Sequence, residues 1–150
     1  MKAQDFNFVK KLKSINLRAI YRNAIKEHEQ DIVDLQQGQL SAGLADQGDE
    51  LQPGYRPRTI ENKLAKGQPV DRVTLKDTGE FYRKQYVKYS VDRFEITSRD
   101  RKRNKLVNKY SGNRGGDVFG LTPSNKVILG EMIKPDIQQE FRDRALKLIG

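Results

Sequence analysis

The sequence predicts an α+β fold: a long N-terminal helix, a small antiparallel sheet in the form of a hairpin, and C-terminal helices packed on it. Three observations predict it. Apolar residues recur at three- and four-residue spacing from residue 5 to about 37. The pattern switches to β-branched and aromatic alternation near residues 83–99, and helical spacing returns after Pro123. A chain of 150 residues suits one domain, large enough to bury a core without staples. Residues 1–150 are therefore read as a single domain with an exposed loop at about 38–56.

In the first element Phe8, Leu12, Ile15, Ala19, Ile20, Ala24, Ile32 and Leu35 form a narrow apolar stripe, with lysine and glutamate on the other face. Gly38 is the expected stop. The stripe predicts one long amphipathic helix, continuous or in two pieces, packed on a sheet or on a neighbouring subunit. His28, between Glu27 and Glu29, is expected on the solvated side.

Residues 38–56 contain four glycines and a proline but few large apolar groups, so an exposed loop is expected. Nineteen residues is long for a loop in a compact domain, which suggests ordering against a partner or mobility. Arg58 to Lys66 reads as a short helix with Ile60 and Leu64 on one side, closed by Gly67. Tyr86, Val87, Tyr89 and Val91, then Phe94 and Ile96, alternate around Asp92-Arg93. They predict hairpin strands near 83–91 and 94–99. The basic run Arg99, Arg101, Lys102, Arg103 and Lys105 follows, then Leu106, Val107 and Tyr110, then a flexible turn from Ser111 to Asp117. Thr122-Pro123 is a helix start, with threonine as N-cap and proline at the first helical position. Residues 123–149 are expected to be helical in two parts because Pro135 disfavours a helix interior, with Asp136 restarting the helix. Ile137, Phe141, Leu146 and Ile149 are expected to form its buried side.

Composition excludes several classes of chemistry. The chain has no cysteine, hence no disulfide framework and no thiolate metal site. A single histidine cannot build a histidine-rich zinc site, and no cofactor or metal is expected. No stretch approaches the ~20 apolar residues that a membrane span requires, and residues 1–6 lack the apolar run of a signal peptide. A soluble protein made in a cytoplasm, with no membrane partner, is expected. Lys and Arg number 29 against 20 Asp and Glu, a formal charge of +9, which suits an anionic partner without specifying one.

Three motifs could carry chemistry. Asp77-Thr78-Gly79 matches the D-T-G of aspartic proteases, in which two aspartates share a proton. One copy would require a homodimer, and the flanks, Lys76 before and Glu80-Phe81-Tyr82 after, differ from the apolar setting of the enzyme. A turn explains the residues more simply. Asp77 is expected to cap a turn or helix start, and Gly79 to permit a close backbone approach. The glycine-rich stretch from Ser111 to Gly116 could cradle a phosphate, but no Walker lysine or G-x-G-x-x-G accompanies it, so a linker is expected. The run Arg99, Arg101, Lys102, Arg103 and Lys105 could grip DNA phosphates or an acidic partner, or it could be a solvated charge run. Paired catalytic carboxylates, a nucleophile–base set and a recognition-helix pattern are all missing from the sequence.

The segment from Arg56 to about Phe141 resembles the virion-morphogenesis and tail-completion proteins of tailed phages, a grouping that includes neck proteins. Thr59-Ile60-Glu61-Asn62-Lys63 matches the short helix of that family. Leu75 to Phe81 matches its D-T-G element, and Phe119-Gly120-Leu121-Thr122 its turn before the last helix. The chain departs from the pattern at Lys84 and Gln85, where relatives carry a serine, and near Tyr110-Ser111-Gly112, where a histidine is absent. The resemblance implies a non-enzymatic structural virion protein that joins head and tail, as a neck or tail-terminator ring. The implied partners are copies of itself, other neck, portal-adaptor and tail proteins, and packaged DNA held without sequence reading. The N-terminal helix and residues 38–56 are then the candidate inter-subunit faces. The implied location is the virion, and the host cytoplasm during assembly. A basic nucleic-acid-binding accessory protein is the alternative, and a dimeric aspartic protease a third reading.

Overall fold

The N-terminal stripe is cut twice by polar residues that compete for the backbone. A computed structural model describes residues 3–112 and 116–149 and gives α1 (Ala3–Lys13), α2 (Leu17–Glu27) and α3 (Glu29–Ser41) in place of one long helix. The Ser14 hydroxyl donates to the Lys11 carbonyl at 2.6 Å, and the Asn16 side chain accepts from the Ala19 N–H at 3.1 Å. Serine and asparagine thus close one helix and cap the next, as their short polar arms do. At the second break His28 has left the helical region, and its N–H still bonds back to the Ile25 and Lys26 carbonyls.

The remaining elements are α4 (Pro57–Ala65), α5 (Glu80–Arg83), strands β1 (Gln85–Tyr89) and β2 (Phe94–Ser98), α6 (Arg103–Tyr110) and α7 (Pro123–Ile149). The fold is α+β, and the hairpin is the antiparallel one that the sequence predicts, with Gln85 opposite Ser98 and Tyr89 opposite Phe94. Two expectations are corrected. The longest helix is C-terminal, and it is one helix of 27 residues with Pro135 inside it. Pro135 is exposed, so water can reach the carbonyl that loses its N–H partner, and one missing bond is tolerated in a helix of that length. The predicted start of that helix holds: the Thr122 hydroxyl oxygen accepts from the Asn125 N–H at 3.2 Å.

The chain divides into two units. One comprises residues 1–28 and 129–150. In it Ile20 and Ala24 of α2 are buried, while Phe8, Leu17 and Tyr21 are 40%, 46% and 46% exposed along an apolar groove shared with Ile137 and Phe141; Leu146 and Ile149, expected on the buried side of the last helix, are exposed. His28 is half-buried and hydrogen-bonded to Asp136 at 2.5 Å, not simply solvated.

The other unit comprises residues 29–128. Its core joins Leu40, Ala45, Leu51, Val73, Leu75, Phe81, Tyr82, Tyr110 and Val118. Leu40, Ala45 and Leu51 come from the segment read as an exposed loop, so residues 38–56 are part core and part surface, with 46–50 and 52–54 facing outward apart from the half-buried Asp46. In the same unit α3 lies against β1, and the Tyr89 hydroxyl donates to Glu29 at 2.8 Å.

Two buried glutamines fix the turn before α7. Gln36 and Gln39 are 0% and 3% exposed, one helical turn apart on α3. Gln36 donates to the Val118 carbonyl at 3.1 Å and accepts from the Gly120 N–H at 2.9 Å. Gln39 donates to the Gly120 carbonyl at 2.7 Å and accepts from the Thr122 N–H at 2.8 Å. Each amide therefore reads the backbone of 118–122 as a neighbouring strand would. The turn itself requires glycine: Gly120 has φ 122, and a Cβ there would stand 3.1 Å from Asp46 Cβ.

Candidate functional site

The second unit carries a cleft of about 600 Å3 between α4, the loop leading into α5, and the start of α6. Its construction begins with Tyr55. The Tyr55 hydroxyl oxygen accepts from the N–H groups of both Thr74 and Leu75, at 2.9 and 3.1 Å. This holds Leu75 at φ 57, a left-handed conformation that side chains resist. Leu75 is itself buried in the core, and the forced turn aims residues 76–79 along the cleft. Beneath it the Tyr82 hydroxyl donates to the Thr74 carbonyl at 2.5 Å. Burial and the nearby Tyr55 push the Tyr82 phenol well above its ordinary range.

From α4 comes an unexpected residue. The sequence puts Ile60 and Leu64 on the inner side, yet Leu64 is 60% exposed and Lys63 is buried. The Lys63 ammonium donates to the Lys76 carbonyl at 2.8 Å and lies 4.8 Å from the centre of the Tyr55 ring. Its aliphatic stem fills the apolar space and its charge meets a carbonyl and a ring face, a compensated burial.

Asp77 does not cap a backbone turn. Its carboxylate accepts from Lys66, just past the end of α4, and lies 3.6 Å from Lys102, just before α6. The Lys66 hydrogen bond, reinforced by the charges of Lys66 and Lys102 and opposed by slight burial, holds the Asp77 carboxyl below its ordinary value. The capping role falls to Thr78, whose hydroxyl oxygen accepts from the Glu80 N–H at 3.3 Å. Gly79 is needed for its dihedral, φ 90, since a Cβ there would meet nothing within 4 Å. Close approach is not its role.

The basic run is split by its surroundings. Arg99 stacks on Tyr86, 3.7 Å from the ring centre. Arg103 donates to Thr97 at 2.7 Å and lies 6.0 Å from the Phe119 ring. Those two guanidinium groups tie down the hairpin and the 118–122 turn. Arg101, Lys102 and Lys105 line the cleft instead, together with Asp77, Thr78 and Gly79. Phe119, Gly120 and Leu121 lie outside it, although the Phe81 and Phe119 rings pack 5.6 Å apart. The cleft's other cations, Lys63, Lys66 and Lys76, were given no binding role in the sequence, where Lys63 entered only through the family's short helix and Lys76 only as a flank of D-T-G. Their spacing along the chain, 63, 66 and 76, gives no cluster to notice. Of the Ser111–Gly116 stretch, Asn113, Arg114 and Gly115 lie outside the described residues; Ser111 and Gly112 are used to bond Val118 and Asp117.

Among the described residues no group of acidic or histidine side chains is arranged to hold a metal ion, and no helix is long and apolar enough to cross a membrane. The cleft has an apolar floor (Leu75, Phe81, Leu106) beneath a cationic rim, an arrangement suited to recognising an anionic group beside an apolar one. No family model, curated protein or solved structure matches the chain.

Proposed function

We propose that the chain is a non-enzymatic structural protein of a tailed-phage particle, a component of the neck or tail-terminator ring that joins head and tail. One observation carries the reading. The three segments on which the family resemblance rests are separate in sequence yet belong to one construction. Thr59 and Lys63 line the same cleft as Asp77–Phe81, and Phe81 packs on Phe119. Residues that a family keeps in order for a shared architecture are expected to meet in this way.

Two further features support it. The D-T-G aspartate is half-exposed and neutralised by two lysines, whereas an aspartic protease needs a pair of carboxylates that share a proton. The exposed Phe8, Leu17 and Tyr21 offer an apolar face of the kind that subunit contacts cover. A closed ring needs two different faces on each subunit. Portal-adaptor and tail proteins are the other partners, and the virion is the location.

The test is the mass of the purified chain in solution, alone and with the neighbouring virion proteins. A discrete ring, or conversion of monomer to ring by a partner, is expected. A monomer that ignores those partners would sink the reading. A second reading, a basic nucleic-acid-binding accessory protein, is favoured by Arg101 and Lys105, for which no hydrogen-bond or ion-pair partner is found among the described residues. It predicts that the lone monomer binds DNA with a steep salt dependence.

A further inference from the structure

We propose that the cleft between α4, the 75–80 loop and α6 is a docking site for an acidic peptide segment bearing an apolar anchor residue. The inference stands apart from the head–tail reading, because it concerns what this cleft binds whether or not the chain forms a ring.

The chemistry of the rim points to carboxylates. Six cationic residues line the cleft, Lys66, Lys76, Arg101, Lys102 and Lys105 at the rim and the buried, already compensated Lys63, against three acids, Asp77, Glu80 and Asp100. The acids are already engaged. Glu80 pairs with Arg83 and Lys84 outside the cleft, and Asp100 accepts from the Lys102 N–H at 2.7 Å. Asp77 occupies Lys66 and Lys102. A carboxylate already bound there demonstrates the chemistry the rim accepts: Asp77 holds, intramolecularly, the position an incoming acidic side chain would take. Arg101 and Lys105 stand beside that pair, both exposed. They supply the charge left over for a second carboxylate.

The floor separates a peptide from a nucleic acid. Nucleic-acid binding to a single strand uses exposed aromatic faces on which bases stack, along an extended basic track. Here the rings at the floor, Phe81 and Tyr110, are 5% and 3% exposed, so neither offers a face. The Tyr55 hydroxyl is committed to the 74–75 backbone. A cleft of about 600 Å3 is concave and local, and at its base the half-buried Leu106 is the accessible apolar side chain, backed by the buried Leu75 and Phe81. That shape fits one or two apolar side chains held between flanking carboxylates, the arrangement of a short linear motif.

The experiment uses the full-length protein and a fluorescein-labelled eight-residue peptide with three acidic residues on each side of a leucine-phenylalanine pair. Fluorescence anisotropy is read at physiological salt. Three comparison probes are the same peptide with amides for carboxylates, the acidic peptide with a glycine pair at its centre, and a twelve-nucleotide oligothymidylate. The first peptide is expected to bind at least about tenfold more tightly than any of the three, a difference of about 1.4 kcal/mol. Arg101→Glu with Lys105→Glu should weaken it by about tenfold or more, and Lys105→Ala alone supplies the test if the double variant does not fold. Asp77→Asn should tighten binding severalfold by releasing Lys66 and Lys102. Equal binding of the glycine-centred peptide, tighter binding of the oligonucleotide, or indifference to the Arg101 and Lys105 substitutions would overturn the proposal.

Discussion

The turn at 118–122 and the turn at 77–79 are both tied to other parts of the fold by polar side chains, yet the two are built on opposite terms. Gln36 and Gln39 work where water is excluded, and each is satisfied at both ends of its amide by backbone groups. Asp77 works at a rim where its side chain is 49% exposed, paired with lysines that water could solvate equally well. In the first case the alternative to the bond is a buried, unpaired backbone group. In the second the alternative is hydration, and little is lost. The first arrangement can therefore specify structure, and the second is free to exchange one partner for another. A docking site has to be built in the second way.

The largest effect expected is at the buried end. Gln36→Met conserves volume but leaves the Val118 carbonyl and the Gly120 N–H without their partner, and should destabilise the protein by about 2–4 kcal/mol. The midpoint of thermal unfolding would then fall by roughly 10 °C. A change within about 0.5 kcal/mol would erase the distinction drawn between the two turns.

Tyr82 tests the same idea beneath the cleft, with a pH signature. Tyr82→Phe removes the bond to the Thr74 carbonyl and should cost about 1–2 kcal/mol at neutral pH, read by denaturant titration. Burial, and next Tyr55, raise the phenol above its ordinary 10.0, so the unfolded chain loses that proton first. The stabilisation is then complete below about pH 10 and is lost as the pH rises further. The variant should show a shallower alkaline decline, though not a flat one, since Tyr89 and Tyr110 are raised as well, each chiefly by burial.

Gln85 sharpens the comparison with the sign reversed. It is the third buried glutamine of this unit, 7% exposed, and its side-chain amide finds no partner among the described residues. Gln85→Met removes a polar group that burial penalises, and is expected to stabilise the protein by about 1 kcal/mol in the same denaturant assay. Loss of stability would mean that the amide is satisfied in solution.

These contrasts also account for what the sequence could reveal. The hairpin was legible because alternation puts Val87 and Ile96 on the buried face, a signal of period two. The start of α7 was legible because Thr122-Pro123 carries its own local chemistry. The amide clasp was not, since hydrophobic periodicity scores Gln36 and Gln39 as surface residues and their partners lie more than 80 positions away. α6 was hidden by its own charge: Arg103 and Lys105 mask the helical spacing of Leu106 and Tyr110. The breaks at Ser14–Asn16 and His28 interrupt a stripe whose apolar spacing is nearly continuous. In the segment 38–56, glycine content concealed three core residues, Leu40, Ala45 and Leu51. For the cleft, D-T-G and the basic run could each be picked out, but not their meeting around Asp77, nor the separation of Arg99 and Arg103 from Arg101, Lys102 and Lys105. That separation depends on where Tyr86, Thr97 and Phe119 stand in the fold.

The smallest effect is expected at Asp77, and it discriminates between a rim built for stability and one built for exchange. Both of its ion pairs are about half exposed, and exposed pairs are worth about 0.2–1 kcal/mol each. Asp77→Asn keeps the shape and removes only two half-exposed ion pairs, so the loss of stability at neutral pH should stay under about 1 kcal/mol. Because the native carboxyl titrates below its ordinary value, chiefly through the Lys66 hydrogen bond, its contribution is present above the unfolded value of 3.8. It disappears as the pH falls through the lower native value. Wild type and variant should therefore differ slightly at pH 7 and converge once the pH has fallen below the lowered native value, as measured by paired urea titrations. A loss of several kcal/mol at pH 7 would mean that Asp77 is a structural clasp like Gln36, with no capacity to yield Lys66 and Lys102 to an incoming acid.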